Sequence, residues 1–239
     1  MSSLSWTPNE IMTIAAARQL ADADVCFVGI GLPSTAANVA RRTHAPNLVL
    51  IYESGTIGAK PRTLPLSIGD GELATTADAV VSVPEIFNYW LQAGRVDVGF
   101  LGAAEIDRGG DINTTVIGPY DHPQVRLPGA GGAPEIAASC GRVIVVIRQS
   151  ARTFVDRVAF RTSLGERVST VITDLGELRP NPAGELLLTR VHPGVDVATV
   201  RAATGWGLTV SDALDETAPP TTEELEVLRK LELTQGQVV

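Results

Sequence analysis

A glutamate follows an apolar run that has the composition of a buried strand. Residues 48–51 read Leu-Val-Leu-Ile, and Tyr52, Glu53, Ser54 and Gly55 come directly after them. Continuous apolar runs of this length are typical of strands that are buried on both faces of a parallel sheet. Open α/β sheets bind ligands at the carboxyl ends of their strands, so Glu53 is a candidate functional carboxylate. The alternative is a polar strand cap or one half of a structural ion pair.

Two glycines nearer the amino terminus occupy an equivalent place after another apolar run. Val25–Val28 is followed by Gly29-Ile30-Gly31 and then by a predicted helix. This order suggests dinucleotide binding, but Ser34 stands where the third glycine of G-x-G-x-x-G belongs. The pair is therefore weak evidence for a nucleotide loop, and an ordinary tight turn between strand and helix is the alternative.

A denser glycine cluster lies further along the chain. Residues 128–134 read Pro-Gly-Ala-Gly-Gly-Ala-Pro, which places glycines at Gly129, Gly131 and Gly132. Successive glycines that lead into a helix can direct several backbone N–H groups at one point, which suits an anion or a developing oxyanion. A flexible turn between two elements explains the same residues equally well.

The elements that must position these residues alternate between strand and helix patterns. Thr7, Pro8 and Glu10 form a predicted capping box that opens a helix running to about Leu20. We predict strands at 25–28, 48–51, 79–83, 96–101, 111–117, 143–147, 168–173 and 185–189, helices at 34–42, 84–91, 134–139 and 221–231, and a turn at 179–182. The alternation predicts an α/β fold, with an open, mostly parallel sheet and flanking helices, as a single domain over residues 1–239.

Composition argues against several classes of function. The 239 residues are 44% hydrophobic, and their net charge of -8 comes without a basic stripe, which argues against nucleic-acid binding. Since we find neither a secretory leader pattern nor an apolar run of membrane-spanning length, we expect a cytoplasmic protein with no membrane contact. Cys26 and Cys140 lie in apolar surroundings typical of reduced core residues. The three histidines are widely spaced, so we expect no metal site.

The motifs taken together resemble one enzyme family. The order of the motifs resembles that in β subunits of class I (family I) CoA-transferases. It is Val28–Pro33, then Tyr52–Gly55 with Gly58, and then Gly129–Ala133 after Arg126. The nucleophile motif Glu-Ser-Gly is similar to that of the glutaconate and 3-oxoadipate CoA-transferase branch. The 3-oxoacid branch usually has Ser-Glu-Asn-Gly. The resemblance extends from the first helix to about Pro193, and it implies the CoA-transferase (NagB/RpiA-like) fold.

The resemblance also implies a mechanism and a set of roles. Glu53 would attack the thioester of a CoA donor and form a glutamyl-CoA thioester in a ping-pong exchange. Backbone N–H groups around Gly131 and Gly132 would bind the oxyanion. Gly29, Gly31 and Gly129 would contact the coenzyme A thioester, which is a substrate rather than a permanently bound cofactor. The active site would lie at the interface with a homologous α subunit, in a heterotetramer of two α and two β subunits.

The acceptor and the exact activity stay open at this stage. Lys60, Arg62 and Arg126 are candidate cations for the remote carboxylate of a dicarboxylate substrate, although a solvated charge or an α-subunit residue would serve as well. The leading hypothesis is 3-oxoadipate CoA-transferase with succinyl-CoA as donor, in the degradation of aromatic compounds. The alternatives are a glutaconate-type transferase, a CoA-thioester hydrolase or decarboxylase on the same fold, and a sugar-phosphate-binding regulator.

Overall fold

A computed structural model of the protein describes residues 5–235. Its helices are α1 (Pro8–Ala17), α2 (Leu32–Arg42), α3 (Gly71–Thr76), α4 (Val83–Glu85), α5 (Ala133–Ser139), α6 (Val197–Ala202) and α7 (Thr222–Gln235), and α4 continues into a π-helical turn (Ile86–Leu91). None of these described helices is long and apolar enough to cross a membrane.

The strands of the main sheet are β1 (Val25–Val28), β2 (Val49–Ile51), β3 (Thr56–Ile57), β4 (Ala79–Val80), β5 (Val98–Gly102), β10 (Arg142–Val146), β12 (Val168–Ile172), β13 (Gly176–Pro180), β14 (Leu186–Val191) and β15 (Val210–Glu216). Smaller sheets contain β6 (Glu105–Asp107), β7 (Ile112–Asn113) and β11 (Phe154–Val155), and separately β8 (Val116–Ile117) and β9 (Val125–Arg126).

The main sheet has a parallel centre with antiparallel additions on both sides. Its strand order is β15-β14-β13-β12-β10-β5-β1-β2-β3-β4. All pairings from β12 to β2 are parallel, whereas β3 and β4 on one side and β13 and β14 on the other join by antiparallel pairing. The predicted open, mostly parallel sheet is confirmed. The chain moves from β1 outward to β2 and returns to β5 on the other side of β1, so the strand order reverses between β1 and β5, where open sheets bind ligands.

Helices cover both faces of this sheet, as the βαβ pattern requires. One apolar cluster joins α1, α2 and α7 to one face, and a second joins the π-helical turn, α5 and α6 to the other. Ion pairs hold α7 on α1, with Arg18 2.7 Å from Glu224 and Arg229 2.6 Å from Glu10. The central strands are therefore buried on both sides, which explains their continuous apolar composition.

The first predicted helix is confirmed together with its capping box. The Thr7 hydroxyl accepts from the Glu10 N–H at 3.2 Å, and the Thr7 N–H donates to the Glu10 carboxylate at 2.7 Å. The helix ends at Ala17 rather than near Leu20.

Several predicted boundaries were wrong for identifiable reasons. The predicted strand at 79–83 stops at Val80 because Ser82 instead caps α4, accepting from the Glu85 N–H. The predicted strand at 111–117 is divided into β7 and β8. The predicted turn at 179–182 begins later, since β13 pairs with β14 as far as Pro180 and the Asn181 N–H then donates to the Glu185 carbonyl. The sequence patterns gave no indication of α6 or β15.

Candidate active site

Glu53 lies in the tight turn between β2 and β3. The Gly55 N–H donates to the Tyr52 carbonyl at 3.0 Å, and the Tyr52 N–H donates to the Thr56 carbonyl at 3.1 Å. Gly55 has a φ of +104°, and a Cβ at this position would clash with the backbone carbonyl of Val81. Only glycine fits both requirements, so the Glu-Ser-Gly sequence closes the turn and holds the carboxylate at the carboxyl edge of β2.

Tyr52 fixes this turn from the opposite face of the sheet. Its side chain is fully buried, and its hydroxyl is 3.0 Å from the Ser34 hydroxyl on α2. Asn38, also on α2, donates to the Ser34 carbonyl at 2.9 Å. Burial raises the pKa of the Tyr52 phenol, so it stays neutral. Tyr52 is therefore anchored under α2, directly before Glu53 in the turn.

Glu53 lines a cavity at the point where the strand order reverses. The cavity has a volume of about 230 Å³ and is bounded by the ends of β1 and β5, residues 27–30 and 100–102, and by the glycine loop at residues 130–133. Of the described residues that line it, only Glu53 carries a charged side chain, and the rest are glycine or apolar. A larger cavity of about 430 Å³ near Arg108 and Glu185 contains none of the predicted site residues.

The glycine loop approaches the carboxylate closely. A Cβ placed on Gly132 would lie 3.3 Å from the Glu53 Oε1 and 2.8 Å from the Phe87 Cζ, so a side chain has no room there. Gly131 has open space but a φ of +49°. Within residues 5–235, the N–H groups of these two glycines donate no hydrogen bond, and the Glu53 carboxylate accepts none. The nucleophile candidate and two glycines with free N–H groups thus line the same cavity.

The other three predicted glycines have different positions. Gly29 lines the cavity directly. Gly31, with a φ of +82°, is the residue before α2, and its carbonyl accepts from the Thr35 N–H at 3.0 Å. Gly129, with a φ of +107°, is tied to Thr114 by two hydrogen bonds of 2.9 and 2.8 Å. Gly31 and Gly129 therefore shape the two loops, whereas Gly29 is the member of this set in the cavity wall.

The structure does not bring Lys60 or Arg62 to this cavity. Strand β3 runs antiparallel to β2, so the chain leaves Glu53 toward the opposite edge of the sheet. At that edge Arg42, the last residue of α2, donates to the Pro61 carbonyl at 2.6 Å. Helix α2 begins beside the cavity, so its length places Pro61 about 16 Å from there. Lys60 pairs with Asp78 at 2.6 Å, and the Arg62 Nε is 3.4 Å from Glu72.

Arg126 lies on β9, the strand that leads into the glycine loop. Its guanidinium carbon is 5.0 Å from the centre of the Tyr120 ring, and Tyr120 stacks on Phe160 at 5.3 Å. The side chain is exposed and lies outside the cavity wall, three residues before Gly129.

Sequence reasoning missed two apolar parts of the site, the end of β5 in the cavity wall and the Phe87 ring beside Gly132. The carboxyl end of β5, at Phe100, Leu101 and Gly102, could have been found, because it follows an apolar run as Gly29 and Glu53 do. Phe87 had no signal in the sequence, since its contact with the glycine loop depends on the π-helical turn.

This chain is similar to known proteins over most of its length. Residues 9–203 match the family model described as Coenzyme A transferase. The β subunit of the 3-oxoadipate CoA-transferase of Pseudomonas knackmussii is 56% identical, over 95% of this chain and 94% of the relative.

Two solved structures are similar over nearly the whole chain. The glutaconate coenzyme A-transferase of Acidaminococcus fermentans superposes with a TM-score of 0.89 at 28% identity, covering 98% of this chain and 97% of the other. The decarboxylase AibA/AibB superposes with a TM-score of 0.87 at 33% identity, covering 95% of each chain. The family match and the extent of these similarities establish that this chain belongs to the coenzyme A transferase family.

Proposed function

We propose that this chain is the β subunit of a 3-oxoadipate CoA-transferase that takes coenzyme A from succinyl-CoA. The observation that carries the proposal is Glu53, held on a glycine-closed turn in an otherwise uncharged cavity beside two unpaired backbone N–H groups. The 56% identity to the β subunit of a 3-oxoadipate CoA-transferase supports the choice of acceptor.

The proposed chemistry proceeds through two acyl intermediates on one carboxylate. A Glu53 oxygen attacks the thioester carbon of succinyl-CoA, the C–S bond breaks, and CoA leaves as a thiolate, so that a mixed anhydride of Glu53 and succinate remains. The thiolate then attacks the glutamyl carbonyl and releases succinate, which leaves a glutamyl-CoA thioester. The acceptor carboxylate reverses both steps, so donor and acceptor never react directly.

Gly131 and Gly132 supply the proposed oxyanion donors. Each acyl exchange passes through a tetrahedral species whose oxygen carries negative charge. Free N–H groups that are already oriented by the backbone stabilise this charge without reorganisation. The left-handed φ of Gly131 and the absence of a Cβ on Gly132 allow the loop to come this close to Glu53.

A decarboxylase has a similar fold, so the fold alone does not establish CoA transfer. The test must therefore distinguish transfer from hydrolysis and decarboxylation. We would purify the chain with its α subunit and follow succinyl-CoA consumption with 3-oxoadipate, glutaconate or acetate as acceptor. We expect formation of 3-oxoadipyl-CoA with one succinate released per transfer. Preference for glutaconate would favour the alternative transferase, whereas release of CoA or CO2 without an acyl-CoA product would refute transfer.

We also propose that an α subunit completes the site. Large apolar side chains are exposed in the segments that follow the turn between β2 and β3, which carries Glu53. They are Leu66, Ile68, Val80, Val83 and Tyr89. Ile68 belongs to the cavity wall as well, so a partner covering this surface would close the cavity. Because the described wall offers no cation for a dicarboxylate, the partner is also a suitable source of one.

The chain purified alone is therefore expected to transfer no CoA and to self-associate. Addition of the α subunit is expected to give a heterotetramer and to restore activity. Light scattering and a transfer assay on the same samples check both statements. Turnover by the isolated chain would refute the shared site, whatever its solubility.

Among the three predicted substrate cations, Arg126 is the better candidate because Lys60 and Arg62 are paired with Asp78 and Glu72 away from the cavity. Arg126→Ala is expected to raise the KM for the dicarboxylate by about tenfold or more, the effect of losing one charge-assisted hydrogen bond. Lys60→Ala and Arg62→Ala serve as matched charge-removing controls, with a KM close to that of the native protein. Equal effects in all three variants would point to general electrostatic attraction instead of a specific contact.

A further inference from the structure

The π-helical turn places an aromatic ring at the active carboxylate. A main-chain bond of the i to i+5 type, from the Gln92 N–H to the Phe87 carbonyl at 2.8 Å, closes the turn. Such turns are rare and occur frequently at functional sites, because the extra residue changes the direction of the side chains. In this protein Phe87 belongs to the turn.

The Phe87 ring is held in place by its neighbours. It packs against the Phe27 ring on β1, with ring centres 6.0 Å apart and an angle of 59° between the planes. The Phe87 Cζ and the Glu53 Oε1 lie 2.8 and 3.3 Å from one point, the position that a Cβ of Gly132 would occupy. The ring edge, the carboxylate and the oxyanion loop therefore meet at one place.

A phenyl ring in this position can exclude water from the site, but it offers no charge or hydrogen bond to a substrate. Phe87 has no polar atom to offer a substrate, and its side chain is half-buried. The intermediates formed on Glu53, in contrast, are an anhydride and a thioester, which water can attack. A closed site prevents such side reactions by excluding water from the reacting carbon.

We propose that Phe87 controls the partition between CoA transfer and hydrolysis by keeping water from the acylated Glu53, a role that rests on the proposed function. In the competing reaction, water adds through its oxygen to the glutamyl carbonyl carbon and the C–S bond breaks. One water proton goes to the CoA thiolate, and Glu53 is regenerated as a carboxylate after loss of the second. The net result is hydrolysis of the donor to its free acid and CoA thiol.

The test compares Phe87→Leu and Phe87→Ala with Phe154→Leu, each in complex with the α subunit. Phe154 is fully buried and stacks on Trp206 outside the cavity, so its replacement removes the same atoms from the core. Free thiol is measured against acyl-CoA product, and the decay of the isolated glutamyl-CoA thioester is followed by mass spectrometry.

We expect the ratio of hydrolysis to transfer to rise about tenfold in Phe87→Ala, as water reaches the reacting carbon, and less in Phe87→Leu. The thioester is expected to decay faster in both. Phe154→Leu is expected to lower stability with the ratio unchanged. If Phe87→Ala does not fold, Phe87→Leu alone decides. If the native complex transfers CoA but the Phe87 variants show an unchanged ratio and decay rate, only the role of Phe87 is overturned. If the native complex shows no transfer, the proposed function and this role are both overturned.

Discussion

Glu53→Ala is expected to abolish CoA transfer while the fold stays intact. The proposed reaction forms both covalent intermediates on this carboxylate, and no other charged side chain among the described residues lines the cavity to replace it. Loss of a nucleophile that acts in every step is expected to lower kcat by a factor on the order of 10⁴ or more. The measurement is succinyl-CoA to 3-oxoadipate transfer by the variant in complex with its α subunit.

The same substitution is expected to have little effect on stability. Glu53 is only half-buried, and its carboxylate accepts no hydrogen bond within the described part of the chain, so its removal leaves no partner unsatisfied. The free energy of unfolding is expected to change by no more than about 0.5 kcal/mol, as for other substitutions outside the core. Glu53→Gln, which keeps the shape of the side chain, provides a second inactive variant.

Chemical trapping tests the covalent role directly. Incubation of the native complex with acyl-CoA and then with borohydride is expected to reduce a thioester at Glu53 and at no other residue. The Glu53→Ala complex is expected to show no reduced residue. Near-normal turnover by Glu53→Ala, or a thioester trapped at another side chain, would refute the assignment of the nucleophile.

Gly132→Val is expected to produce the second large effect. Its Cβ would lie 2.8 Å from the Phe87 Cζ and 3.3 Å from the Glu53 Oε1, so either the loop or the ring must move. Movement of the loop withdraws the N–H groups of Gly131 and Gly132 from the proposed oxyanion. Losing one such donor costs about 10²–10³ in kcat. The steady-state kcat of the complex and its Tm are measured together.

Two further glycine variants separate the possible causes. Gly71→Ala in α3 adds a Cβ where no atom lies within 4 Å, and it is expected to leave kcat unchanged. Gly131→Ala also has space, but its φ of +49° is unfavourable for alanine, so a smaller loss is expected from backbone strain alone. A reduction of less than tenfold in Gly132→Val would identify the loop as a plain turn.

The place of the nucleophile candidate could be predicted from local sequence. A continuous apolar run followed by Glu-Ser-Gly predicts a buried strand and a sharp turn, because burial on both faces and the backbone freedom of glycine are local requirements. Gly29 follows the apolar run Val25–Val28 in the same way, whereas the loop at Gly131 and Gly132 was predicted from successive glycines that lead into a helix. The capping box at Thr7 and Glu10 was equally local, and the structure confirms it.

Which of the remaining residues share the site depends on contacts between distant parts of the chain. Lys60 and Arg62 follow Glu53 closely in sequence, yet the antiparallel pairing of β3 carries them away from it, and strand direction depends on partners that no local pattern specifies. Phe87 lies far from the glycine loop in sequence but reaches it through the π-helical turn. Strand β15 is largely exposed, so it has no apolar alternation and is fixed by backbone pairing with β14. Local chemistry therefore fixes where a carboxylate or a turn can occur, whereas long-range pairing and packing determine what surrounds it.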